Sequence, residues 1–179
     1  MTYEGRLELF DIIVGSFVPE EVRDDLIKRG FFTAPASANH HGNYSGGLFD
    51  HSYEVARWLV EYTDKLSLKW ENSRSPFLVG MFHDLCKIDN YRCKMDNYVS
   101  TQRYEYNEET LLRGHGDKSV MMLSKYFTLT EEEICCIRYH MGAFTDKSEW
   151  GDYTRAVHRY PNVLWTHTAD MVASHVEGV

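Results

Sequence analysis

The run Phe77-Leu78-Val79-Gly80-Met81-Phe82 is the segment of this chain with the least structural freedom. An unbroken apolar stretch has no polar face to turn to water, so it must be enclosed on every side. Ser75 and Pro76, read as N-cap and first helical residue, predict that the run is a fully buried helix. That helix leads into His83 and Asp84, with Leu85-Cys86-Lys87 after them. A carboxylate beside an imidazole in such surroundings costs on the order of several kcal/mol unless positive charge compensates it. A divalent cation would supply that charge. Successive helical residues lie about 100° apart, so His83 and Asp84 straddle one edge of the helix, with Lys87 one turn on and on the same side.

Other segments read as helices packed around this one. Leu7, Phe10, Ile12, Ile13 and Phe17 form an apolar stripe, and Pro19 starts a second helix that Gly30 can end. The stretch from Phe31 to Gly47 is dense in Gly, Ser, Asn and Pro and reads as loop that can border a site. Val55, Leu59 and Tyr62, with Trp58 and Leu66 beside them, predict a helix over Asp50 to Leu66 with His51 in its first turn. Tyr91 to Tyr106 alternates around Asp96-Asn97 as a short β-hairpin. Leu111 to Gly116 reads as helical again, and Ser119 to Phe127 carries Val120, Met121, Leu123 and Phe127 on neighbouring faces. Thr130 and Glu133 form a capping box opening a helix through Ile134 and Ile137 to His140, with Gly142 as its stop. After a polar, Trp-containing stretch with no assigned element, Pro161 begins a last helix through Val163, Leu164, Asp170, Val172 and His175. The expectation is an all-α helical bundle with a small β-hairpin insertion, one domain over residues 1–179, with scaffold helices in 1–30 and the chemistry in about 44–175.

Composition narrows the function. Nineteen Lys and Arg against 27 Asp and Glu give a formal charge of -8, which argues against tight capture of long nucleic acid. Four cysteines without a Cys-x-x-Cys pattern give neither a disulfide framework nor a zinc ribbon and suit reduced thiols in a cytoplasmic protein. Met1 to Phe17 lacks a basic leader region, and no apolar run approaches the ~20 residues that span a bilayer, so neither export nor membrane insertion is expected.

The nine histidines carry the rest. His51 precedes an amphipathic stripe, His115 lies between Gly114 and Gly116, His140 stands at a helix end, and Asp170 falls on the last helix. The ordered set His51, His83-Asp84, His115, His140, Asp170 resembles the HD superfamily of metal-dependent phosphohydrolases. Its flanks do too: Gly46-Gly47-Leu48-Phe49-Asp50-His51, His83-Asp84-Leu85-Cys86-Lys87 and Thr168-Ala169-Asp170. The resemblance covers roughly Tyr44 to His175. His40-His41-Gly42-Asn43-Tyr44-Ser45-Gly46-Gly47-Leu48 is most similar to the HD module of bacterial 3'-5' exoribonucleases, whose OB-fold this chain has no room for.

The resemblance implies that His51, His83, Asp84 and Asp170 hold one metal while Asp84, His115 and His140 hold a second. Imidazole and carboxylate ligands suit Mn, Fe, Zn, Ni or Co, and a bridging aspartate can hold two cations ~3.5–4 Å apart with a hydroxide between them. Two such cations against two carboxylates leave a positive site that attracts phosphate in an acidic chain. The expected activity is hydrolysis of a nucleotide or other small phosphate ester, with Asp84 and Lys87 as the catalytic pair. A di-iron oxygenase of the same superfamily, or a regulatory protein that binds metal or nucleotide without turnover, are the alternatives. His40 and His41 are candidates for the entrance and for proton donation to the leaving group, with a solvated loop pair as the other reading. His167, one turn from Asp170, is a candidate supporting partner. Tyr44 and Tyr91 are candidates for stacking on a base. Lys118 and Arg92 are weaker candidates for phosphate contact, and His158 and His175 read as structural or exposed.

Overall fold

The computed structural model describes residues 1–94 and 103–179. The hairpin turn expected at Asp96-Asn97 lies outside the described residues. Helices α1 (Tyr3–Val14), α2 (Glu20–Lys28), α3 (Gly47–Leu66), α4 (Ser75–Phe82) and α5 (Lys87–Asn90) precede strands β1 (Tyr91–Lys94) and β2 (Arg103–Tyr106). Helices α6 (Gly116–Leu123), α7 (Glu131–Arg138), α8 (Trp150–Arg159) and α9 (Asn162–Val172) follow, and Ala173–Glu177 closes the chain as a π-helical turn. This is a mostly helical protein with one small antiparallel sheet, in which Tyr91 pairs with Tyr106 and Lys94 with Arg103. No helix among the described residues is long and apolar enough to cross a membrane.

The apolar run centred on α4 is the axis of the molecule. Leu78, Val79, Met81 and Phe82 are all buried, with α3 along one side and α7 and α1 on others. Gly80 is what lets α3 come so near: a Cβ there would sit 2.3 Å from the Ala56 Cα. On the side toward the N-terminal helices, Phe10, Phe31, Phe32, Phe49 and Phe82 pack mostly edge-to-face at 5.2–6.3 Å between ring centres. Each such ring contributes roughly 1.5–3 kcal/mol through burial alone. Helix α1 is further clamped by Arg6, whose Nε and Nη2 donate to the two oxygens of Asp50 at 2.8 and 2.9 Å, with both side chains buried.

Several sequence expectations need correction. Helix α3 starts at Gly47 rather than Asp50, placing His51 in its second turn, because Leu48 and Phe49 are buried and extend the core-facing stripe. His83 and Asp84 stand beyond the last residue of α4, in a turn that runs to α5, and not inside a helix. The chain turns at the point where its apolar run ends and charge begins. Of the expected helix over Leu111 to Gly116 only Gly116 is helical, as the first residue of α6: Gly114 has φ of +112° and the side chains of Leu111 and Leu112 are 96% and 48% exposed, so little before it is covered to support a helix. Ile12, assigned to the N-terminal stripe, is 78% exposed, and the buried positions of α1 are Arg6, Phe10 and Val14. The Thr130 capping box is present as expected, and α7 ends at Arg138, two residues before His140. Helix α8 was not anticipated, although Tyr153, Ala156, Val157 and Tyr160 have helical spacing and pack on the core.

Candidate metal centre

Four chain segments that end or begin helices bring the candidate ligands together. His51 comes from the second turn of α3, His83 and Asp84 from the end of α4, His115 from the residue before α6, and His140 from the turn after α7. Asp170 comes from α9. All six expected ligands meet at one place, and His51, His83, Asp84 and His140 are buried there.

Asp84 is the centre. Its Oδ2 lies 3.6 Å from His51 Nε2, 3.4 Å from His83 Nε2 and 2.6 Å from Lys87 Nζ. Its Oδ1 lies 2.7 Å from His115 Nε2 and 3.4 Å from His140 Nε2. The two oxygens therefore divide the histidines into two pairs. Asp170 joins the first, with Oδ1 3.1 Å from His51 Nε2 and 4.0 Å from His83 Nε2.

Hydrogen bonds on the far side of the rings decide which nitrogen faces inward. His51 Nδ1 lies 3.0 Å from the Val179 main-chain oxygen, His83 Nδ1 2.9 Å from the Gly80 oxygen, and His140 Nδ1 2.7 Å from the Ile137 oxygen. A main-chain oxygen only accepts, so each Nδ1 carries a proton and each Nε2 is the nitrogen turned toward Asp84, free to offer its lone pair to a metal once unprotonated. This is the arrangement that metal-ligating histidines adopt. The two inward nitrogens of the first pair also lie close, with His51 Nε2 and His83 Nε2 3.3 Å apart. Among the described residues, His140 Nε2 and Asp84 Oδ1 are buried without a hydrogen-bond partner. A cation between them would satisfy both, and the donor set fits a divalent transition metal. Two groups among the described residues are close enough to share an ion, His51-His83-Asp84 and Asp84-Cys86-His115.

The electrostatics agree with a tightly coupled cluster. Burial would raise the carboxyl pKa of Asp84, but Lys87, His83 and His115 outweigh it and hold the group well below its usual range. Asp170 is likewise held low despite burial, by the contact with His51 and the charges of His83 and His140. Burial opposes protonation of His115, yet the Asp84 charge prevails and takes it up to about 10. His140 moves the other way, because burial dominates there. Lys87 is buried and raised by Asp84 against its own desolvation, so part of the compensation expected from a cation comes from the chain itself.

The cluster floors a cavity of about 1050 Å³ whose lining includes Asp84, Lys87, His115 and Asp170. Its outer wall carries Tyr91, Tyr106, Arg113, Met141 and Phe144. His40 and His41 line it as expected, and burial, with the nearby His51 and Lys87, pushes His41 down to about 4. His167 supports the site from behind, with Nδ1 2.8 Å from the His140 main-chain oxygen. His175, read as structural or exposed, is exposed, and it also lines the cavity and sets Nδ1 2.7 Å from Ser174 Oγ. Tyr44 hydrogen-bonds Asp50 at 3.0 Å, and Arg92 pairs with Glu105 and Glu109 on the exposed hairpin. Lys118 is fully buried, bonded to Asn90 and Thr110 at 2.7 and 3.0 Å, and holds the cavity wall without facing a ligand. Arg113 and Cys86 are the site neighbours that sequence reasoning did not single out, the first for want of any pattern around it. Comparison with protein-family models, curated proteins and solved structures gives no match to this chain.

Proposed function

We propose that this chain is a metal-dependent phosphohydrolase acting on a nucleotide or other small phosphate ester. The observation that carries the reading is the set of three buried histidines whose Nδ1 protons are tied to main-chain oxygens while their Nε2 atoms converge on Asp84, which itself lines a solvent-accessible cavity. His51, His83, Asp84 and Asp170 would hold one divalent cation and Asp84, His115 and His140 a second. Bound there, the ions would polarise a phosphoryl oxygen and lower the pKa of an attacking water.

The chain's own groups do the rest. Asp84 offers one oxygen to each half of the site, so it fixes the spacing of whatever the halves hold. Lys87 now caps Asp84 Oδ2, and when a cation takes that oxygen the ammonium, already on the cavity lining, is placed to meet phosphoryl charge. The fixed tautomers keep Nε2 pointed inward with no reorganisation during turnover. The cavity exceeds what a phosphate group fills, and its aromatic outer wall suits the remainder of a nucleotide-sized ester.

The test is elemental analysis of protein purified without added metal, followed by a phosphatase and phosphodiesterase panel with Mn²⁺ under anaerobic conditions. Bound metal and phosphate release without O₂ support the proposal. Strict dependence on iron and O₂, with no ester cleaved, would replace it with an oxygenase, and a metal-loaded protein inert in both assays would replace it with a binding protein.

A further inference from the structure

Three of the inward-facing histidines are held from behind by a main-chain oxygen, and the fourth is not. His115 precedes α6 in a segment of irregular backbone, and its side chain keeps 33% of its surface exposed, against 0–1% for His51, His83 and His140. Its Nε2 is the nitrogen that faces Asp84 Oδ1, at 2.7 Å. Its Nδ1 points the other way, to Cys86 Sγ at 3.7 Å, and among the described residues that sulfur is its hydrogen-bond partner. Cys86 is fully buried, and its backbone N–H is fixed to Ser119 Oγ at 3.1 Å, so the sulfur is set in place by the turn after Asp84 and by α6 together.

We infer that Cys86 is the positioning residue for His115, holding its ring so that Nε2 ligates the cation on the Oδ1 side of Asp84. This rests on the metal-binding reading above. A sulfur accepts a hydrogen bond more weakly than a carbonyl does, so the imidazole it supports is the least firmly oriented of the set. Cys86 lies close enough to share an ion with Asp84 and His115, but the ring nitrogen aimed at Asp84 Oδ1 is the one opposite the sulfur, which puts the sulfur behind the ring in this assignment. The Oδ1 position is consequently the weaker and more exchangeable of the two, and its affinity is set by the atom at position 86. Loss of a hydrogen-bond partner behind a metal-ligating histidine typically costs about 10–100-fold in metal affinity.

The experiment is titration of the metal-free chain with Co²⁺, following the visible absorption and the stoichiometry by equilibrium dialysis, for the wild type, Cys86→Ala and Cys86→Ser. The wild type should bind two equivalents and show no thiolate-to-cobalt charge-transfer band. Cys86→Ala should weaken one equivalent by about 10–100-fold and leave the other unchanged, while Cys86→Ser, whose hydroxyl can accept from Nδ1, should recover most of the loss. A charge-transfer band in the wild type would make Cys86 a ligand and overturn the positioning role, and this readout stands even where a variant fails to fold. Two undiminished equivalents in Cys86→Ala would overturn the inference and leave the metal reading intact. No cobalt bound by the wild type would overturn both.

Discussion

Replacing Arg6 with Met tests the clamp between α1 and the helix that carries His51. The guanidinium donates twice to Asp50, and the remaining contact to that carboxylate from a neighbouring side chain is the Tyr44 hydroxyl at 3.0 Å. Both members of the pair are at most 6% exposed, so Arg6→Met keeps most of the apolar stem while leaving a buried carboxylate with one hydroxyl donor and the Met1 ammonium at 3.8 Å. Breaking a buried pair from one side costs about 3–5 kcal/mol, much of it the desolvation of the orphaned charge. For a chain of this length, 1 kcal/mol moves Tm by about 2–4 °C, which places the expected fall at ~6–20 °C. The assay is urea unfolding followed by far-UV circular dichroism, with a thermal scan alongside. The double variant Arg6→Met/Asp50→Leu should be less destabilised than the sum of its singles, because no charge is then stranded. A loss below about 1 kcal/mol for Arg6→Met, or strict additivity in the double variant, would show that the pair behaves like a solvent-screened surface bridge and refute the argument.

Asp84→Ala should release every bound ion, since both groups of potential ligands share that residue; elemental analysis showing full metal content would contradict its bridging place. His140→Ala should remove one equivalent and keep the other, measured in the same way. In Gly80→Ala the added methyl meets Ala56 backbone at 2.3–2.6 Å, so α3 and α4 must separate, at a cost of about 1–3 kcal/mol in denaturant midpoint. Thr130→Ala removes the hydroxyl that accepts from Glu133 N–H at 3.1 Å and should cost about 1 kcal/mol by the same measure.

What could be read from sequence was whatever depends on near neighbours. The capping box at Thr130 and Glu133 and the buried run at α4 are local patterns, and both appear where their residues place them. The order of His51, His83-Asp84, His115, His140 and Asp170 marked residues that do meet, but it did so through its resemblance to a known ordered ligand set and not through a local pattern, since His51 stands between Asp50 and Ser52 and His115 between two glycines. Helix α8 escaped notice because its polar residues masked a stripe of helical spacing that was present. Leu111 and Leu112 misled in the opposite sense: apolar residues predict a helix only if something covers them, and they are 96% and 48% exposed. Cys86 and His175 matter through contacts made by distant parts of the chain, and no spacing rule reports such contacts.

The ligands are drawn from α3 through α9, so the cluster spans most of the chain and is complete only when its last helix has docked on its third. Contacts so distant in sequence are costly to close early, so the cluster is expected to assemble after the folding barrier. An ion that recognises the finished cluster then has nothing to grip in the transition state. Interactions absent from the transition state lower the unfolding rate and leave the folding rate alone. Added metal should thus act as a kinetic lock, lengthening the lifetime of the folded chain without hastening its arrival, and a chevron plot with and without metal would display this as a shift of the unfolding arm alone.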